Sequence, residues 1–171
     1  MENMQKGIIR LVKVANLVKT EVPDVVITAI GSGKDSDLIK KSNNITYLGF
    51  VSNDRKLEEL EKSSLLLCTS NSEVLSLAIV EGLCSGLPIV TTPVSGPKDI
   101  VGLSPLNGKI STFEPSDMVA DVLSYYNKWK SNSDEYYENK IERSKRAREM
   151  FTVQKMASEY KSMIEIILND S

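Results

Sequence analysis

Short apolar runs alternate with amphipathic segments along this chain of 171 residues. Residues 7–19 (GIIRLVKVANLVK) place Ile8, Leu11, Val12, Ala15 and Val18 at helical spacing, and Pro23 and Asp24 break the helix so predicted. Residues 25–30 (VVITAI) are a continuous β-branched run, the pattern of a strand buried on both faces. Gly31-Ser32-Gly33 then turns the chain into a short polar helix through about Lys41. The cycle repeats. A strand is predicted at 45–49 (ITYLG), a helix at 53–62 capped by Asn53 or Asp54, and a buried strand at 65–68 (LLLC). A helix at 77–85 (LAIVEGLCS) ends at Gly86, a strand occupies 89–92, and Pro97 opens a short helix through Val101. A last small strand is predicted at 109–111, followed by helices at about 116–129, 135–150 and 153–168.

Strands alternating with helices imply an α/β fold, a Rossmann-like parallel sheet with helices on both faces. Residues 1–171 fit one domain. Ligands of such sheets sit where the strand-to-helix loops converge, here 31–33, 50–53, 69–76 and 93–97. Composition narrows the chemistry. An apolar fraction of 41% is globular, and a net charge of -2 supplies no field for nucleic acid or an anionic membrane. The basic residues Lys140, Arg143, Lys145, Arg146 and Arg148 are interrupted by Glu142 and Glu149 and read as a solvated helix face. Cys68 and Cys84 lie in apolar segments without metal-ligand spacing, so both read as small core residues. The chain contains no histidine, which excludes an imidazole base and argues against zinc. With no span-length apolar stretch and no signal-like N-terminus, a cytoplasmic protein is expected.

Three features carry candidate chemistry. Glu81 is the only charged residue in LAIVEGLCS, and a carboxylate in such a helix needs a partner or a cleft. Glu73 stands in the polar loop ahead of that helix, eight positions before Glu81. Ser76 can cap the helix at Leu77, aiming free amides and the helix dipole at the loop mouth, which makes an anion site. Two carboxylates flanking a helix N-terminus match a nucleotide sugar: ribose diol, pyrophosphate, then sugar hydroxyls.

The run from Glu73 to Glu81, continued by Gly82-Leu83-Cys84-Ser85-Gly86-Leu87-Pro88-Ile89-Val90, resembles the E-x7-E segment of the family 4 (group 1) retaining glycosyltransferases. Lys6-Gly7 is similar to that family's KG turn, Gly31-Ser32-Gly33 to its GxG loop, and residues 95–101 (SGPKDIV) to its SGPxEI stretch. The resemblance implies the C-terminal half of a two-domain GT-B enzyme, with the family's first strand and its arginine missing. It implies that Glu73 is the catalytic-side carboxylate, accepting from hydroxyls of the transferred sugar, and that Glu81 accepts from the ribose. The amides of Ser76 and Leu77, with Lys6, would hold the pyrophosphate, Gly31 and Gly33 would belong to the donor-binding site, and Val51 and Asn53 would lie near the base. The donor would be a UDP- or GDP-sugar used without metal or other cofactor. The acceptor would be held by a separate N-terminal domain, in bacterial capsule, lipopolysaccharide or exopolysaccharide assembly. Membrane contact would come only through the full-length enzyme or a lipid-linked acceptor, and the isolated chain is expected to be inactive.

Departures from that pattern support a second expectation, a non-catalytic nucleotide-binding or interaction module. Val74 and Ser76 replace two glycines, and β-branched valine resists positive φ. A dinucleotide oxidoreductase fits less well, since position 36 is Ser36 and no acidic residue ends the next strand. An epimerase on the same fold would be expected to use histidine.

Overall fold

Each strand of the protein is short and runs parallel to its partner. The structure, a computed structural model, describes residues 7–169. Strand β1 (Thr28–Ile30) pairs with β2 (Thr46–Gly49), Thr28 opposite Thr46, with the register shifting between Ala29 and Ile30. Strands β3 (Leu66–Cys68), β4 (Ile89–Thr91) and β5 (Gly108–Ile110) form a second ladder, with Leu67 opposite Val90 and Val90 opposite Lys109. Among the described residues no ladder joins β1 to β3, and the expected parallel α/β arrangement is seen as a two-stranded and a three-stranded ladder. A β-branched run announces a strand, but it does not say which strand lies beside it.

Period-two alternation sends the strand side chains to opposite faces. Val90, Leu65 and Leu67 pack with Val14 and Val18 of helix α1 (Ile8–Glu21) and Met118 and Val119 of α6 (Pro115–Ser131). Ile89, Leu66 and Cys68 pack the other way, against Ile79 and Leu83 of α4 (Leu77–Cys84), Ile100 and Val101 of α5 (Ser95–Gly102) and Ala147 of α7 (Ser133–Met150). A third cluster joins Ala15 of α1 and Ile39 of α2 (Ser36–Lys40) to Ala29 and Tyr47. Both faces are therefore covered, and α1 contributes to the clusters over both sheets. Helix α3 (Asn53–Lys62) connects the sheets, and α8 (Val153–Asn169) carries exposed Met156, Tyr160, Met163 and Ile164. No described helix is long and apolar enough to cross a membrane.

Local chemistry moves several predicted boundaries. Helix α3 is capped by Ser52, whose hydroxyl accepts from the Arg55 amide at 3.3 Å, rather than by Asn53 or Asp54. Helix α5 begins at Ser95, with Pro97 inside its first turn, where proline removes no intrahelical bond. Helix α6 starts at Pro115 and α7 at Ser133, the latter because Asn132 accepts from the Glu135 amide at 3.2 Å. The basic run of α7 is not wholly a solvated face. Arg143 is only 5% exposed and donates to the Gly86 and Leu106 carbonyls, while Lys140 donates to those of Glu61 and Ser63. Burial lowers the pKa of Arg143 from the usual guanidinium value. A guanidinium satisfies carbonyls that a helical sequence pattern cannot display.

Candidate functional site

Three helix N-termini meet at the carboxyl end of the three-stranded sheet. Gly7 opens α1 with φ 63, and a Cβ there would lie 1.8 Å from the Thr69 carbonyl oxygen. That contact requires glycine and fixes the start of α1 against the residue following β3. Helix α4 begins after Ser76, which sits at the N-cap with extended φ/ψ and makes no side-chain cap bond. The first intrahelical acceptance by the Ser76 carbonyl is from Ile79 at 3.0 Å, so the Leu77 and Ala78 amides precede the helical ladder. Helix α5 closes the third side. Gly96 donates to the Glu73 carbonyl at 3.4 Å, and a Cβ on it would approach the Val74 carbonyl oxygen to 2.0 Å. The loop from Thr69 to Ser76 is thus held between α1, α4 and α5, under the positive ends of three helix dipoles.

Arg10 fixes the loop's base. Its Nη1 donates to the Thr69 carbonyl at 2.7 Å and to Asn71 Oδ1 at 2.8 Å, and its Nε to the Phe113 carbonyl at 2.7 Å. The guanidinium also lies 5.0 Å from the centroid of the Phe113 ring. Desolvation lowers its pKa, with the Glu114 carboxylate opposing that shift. Sequence reasoning did not single out Arg10. Arg10 is one of three cations in the helix that follows Gly7, with Lys13 and Lys19, and the sequence does not set it apart from them.

Glu81 has a partner. Lys56 Nζ, from the first part of α3, lies 2.7 Å from Glu81 Oε1, with the two side chains 28% and 36% exposed. The pair joins α3 to α4 beside the mouth and leaves Glu81 Oε2 without a bond from Lys56. Lys56 was likewise missed, since nothing in the local pattern links residues 25 positions apart.

The remaining predicted residues divide. Ser76 is buried, Leu77 exposed, and Glu73 half-buried in the held loop. Gly31, with φ 128, donates to Gly49 at 2.8 Å and accepts from the Tyr47 hydroxyl at 2.8 Å, and space is open around both Gly31 and Gly33. Val51 is half-buried and Asn53 exposed at the start of α3, on the β1–β2 side of the mouth. Lys6 lies outside the described residues. No described non-glycine residue has positive φ, so Val74 and Ser76 replace glycines without left-handed backbone, and Val74 stands 90% exposed at the rim. Two surface cavities lie elsewhere, one of about 440 Å³ between Ser85 and α7 and one of about 190 Å³ near Pro105. Neither is lined by Glu73, Ser76 or Glu81.

Comparison with known proteins identifies the family and the fold. The family described as glycosyl transferases group 1 matches residues 3–146. The poly(glycerol-phosphate) alpha-glucosyltransferase of Bacillus subtilis (strain 168) is 34% identical over 93 residues, covering 50% of this chain and 14% of that protein. A variant of S. aureus TarM, solved with fondaparinux, alpha-GlcNAc-glycerol and UDP, superposes with a TM-score of 0.74 at 24% identity, covering 94% of this chain and 34% of that one. The pneumococcal O-GlcNAc transferase GtfA, solved with UDP and GlcNAc, gives 0.73 at 19% identity over 96% of this chain and 34% of its own. At these identities the structural likeness is one of fold, and the chain spans about a third of the length of either structure.

Proposed function

The chain belongs to the glycosyl transferases of group 1, and on that premise we propose that it is the nucleotide-sugar-binding half of a retaining transferase. The observation that carries this reading is the convergence of the α1, α4 and α5 N-termini on the Thr69–Ser76 loop, with the Glu81–Lys56 pair beside it. The dipoles and the Leu77 and Ala78 amides favour the pyrophosphate. Glu81 Oε2 accepts from a ribose hydroxyl, and Glu73 from hydroxyls of the sugar. Val51 and Asn53 border the base, with Gly31 and Gly33 leaving room beside the phosphates. UDP in the solved structures of TarM and GtfA supports uridine as the base.

In the reaction the bond between the anomeric carbon and the β-phosphate oxygen breaks, and a bond to an acceptor hydroxyl oxygen forms on the same face of the sugar. The acceptor proton leaves with the nucleoside diphosphate or to solvent. Charge grows on the departing diphosphate, and fixed amides stabilise charge developed there without reorganising. On this reading a metal is not needed, and the acceptor is bound by a separate domain. The poly(glycerol-phosphate) named for the Bacillus relative supports a bacterial polymer as acceptor, glycosylated on the cytoplasmic side on this reading.

Calorimetric titration with UDP, GDP and their sugars tests the reading. Saturable UDP binding that is lost in Glu81→Ala is the expected result. Absence of binding by either nucleotide at millimolar ligand overturns it, and binding without turnover once the acceptor domain is added favours a non-catalytic module.

A further inference from the structure

We propose that Arg10 is a positioning residue of the donor site: its guanidinium sets the tip of the 69–76 loop and so decides how Glu73 meets the transferred sugar. The assignment rests on the nucleotide-sugar reading of that site. It begins with what holds the loop. Thr69 and Ser70 are buried at the base, but beyond them little apolar surface is covered, with Val74 90% and Leu75 59% exposed. Apolar packing therefore contributes little to the order of the tip, and polar contacts must hold it. Thr92 Oγ1 donates to the Ser70 carbonyl at 2.5 Å, at the base, and the Gly96 amide reaches the Glu73 carbonyl at the longer distance of 3.4 Å. Between these two points Arg10 Nη1 bridges the Thr69 carbonyl and Asn71 Oδ1, tying base to tip through one nitrogen.

The other side of this clamp is firm. Arg10 Nε donates to the Phe113 carbonyl, and the guanidinium lies against the Phe113 ring. That turn is itself fastened to α6, because Thr112 Oγ1 accepts from the Glu114 amide at 3.0 Å and donates to Asp117 Oδ2 at 2.6 Å. Helix α6 in turn shares a core with α1 through Met118, Val119, Val14 and Val18. Arg10 is thus anchored through its backbone and through Nε, and the loop is the part that yields when the clamp is cut.

The geometry also selects arginine. Two nitrogens of one planar fork meet three acceptors in fixed directions, which the single ammonium of lysine on its flexible stem does not reproduce. Those bonds engage the protein, so Arg10 acts through the loop. On the nucleotide-sugar reading the diphosphate meets the amides at the start of α4, beyond Ser76, whereas the sugar meets Glu73 inside the clamped loop. Loosening the loop therefore weakens sugar recognition more than nucleotide recognition. A residue that only stabilised the fold would weaken both alike.

The test compares the full chain with Arg10→Lys, by NMR relaxation and by calorimetric titration with UDP, UDP-glucose and UDP-GlcNAc. Order parameters at Ser72, Glu73 and Val74 are expected at about 0.85 in the wild type and below about 0.6 in the variant, with α6 unchanged. Freeing one long side chain corresponds to roughly 2- to 12-fold in affinity, so a loss of that size is expected for the UDP-sugar that binds, against less than about twofold for UDP. Asn71→Ala, at an exposed position, cuts the tip contact alone. It is expected to give the same pattern, and it decides the matter where Arg10→Lys does not fold. A rigid loop at residues 72–74 in the variants, or equal losses of UDP and UDP-sugar, overturns the assignment while wild-type binding upholds the donor site. A wild type that binds no nucleotide overturns the donor-site reading and the assignment with it.

Discussion

Lys56→Ala isolates what the ion pair contributes to ligand recognition. The pair is short, 2.7 Å, but both side chains are about a third exposed. At an effective dielectric near 20 the gross attraction at such range is about 6 kcal/mol. Desolvation and side-chain ordering reduce exposed pairs to roughly 0.2–1 kcal/mol net. Stability should therefore fall by less than about 1 kcal/mol, a melting shift of roughly 2–4 °C for a domain of this size. The binding effect is larger in proportion. Without Lys56 the Glu81 side chain must be ordered by the ligand, and immobilising such a side chain costs about 0.5–1.5 kcal/mol. UDP affinity is then expected to drop by roughly 2- to 12-fold. The assay is calorimetric titration of the wild type, Lys56→Ala and Lys56→Arg with UDP and with 2′,3′-dideoxy-UDP. The loss should appear with UDP, vanish with the dideoxy ligand and be restored by Lys56→Arg. Equal losses with both ligands would place Lys56 on the phosphates instead, and tighter UDP binding would mean that it competes with the ribose. Either outcome refutes the reasoning.

Gly7→Ala should destabilise the chain by roughly 2–4 kcal/mol in urea titration, because positive φ and a Cβ 1.8 Å from a carbonyl oxygen both demand backbone movement. Arg143→Met leaves the buried Gly86 carbonyl and the half-buried Leu106 carbonyl without their donor, and a loss of about 3 kcal/mol is expected by the same measurement. The Tyr136 hydroxyl donates to the Ser64 carbonyl at 2.6 Å, and burial pushes its pKa up to about 12. The folded state therefore keeps a proton that the unfolded state loses above about pH 10. Stability should fall between about pH 10 and 12, and Tyr136→Phe should fall less steeply across that window, by about 1–2 kcal/mol in total.

The strands and helices were legible in the sequence because each is a local pattern. VVITAI and LLLC announce their strands without any neighbour, and LAIVEGLCS shows its helix and its solitary carboxylate together. Glu73, Ser76 and Glu81 could be placed at one mouth because a single loop and helix carry all three. What escaped is long-range. Lys56 reaches Glu81 across 25 positions, and Arg10 reaches Phe113 across 103, with no local mark of either contact. The Ser52 cap escaped because three successive polar residues, Ser52, Asn53 and Asp54, offer equal capping chemistry.

The packing of α1 on α6 also orders events during synthesis. Of the two, helix α1 emerges before α6, and Met118 and Val119, which cover Val14 and Val18, follow by about a hundred residues. At roughly 5–20 residues per second the ribosome takes about 5–20 s to deliver them. For that interval an amphipathic helix with an uncovered apolar stripe is held near the ribosome, where chaperones meet nascent chains. Contacts so distant in sequence close late, and they make this a slow-folding arrangement. Helix α1 is thus made well before the helix that buries it.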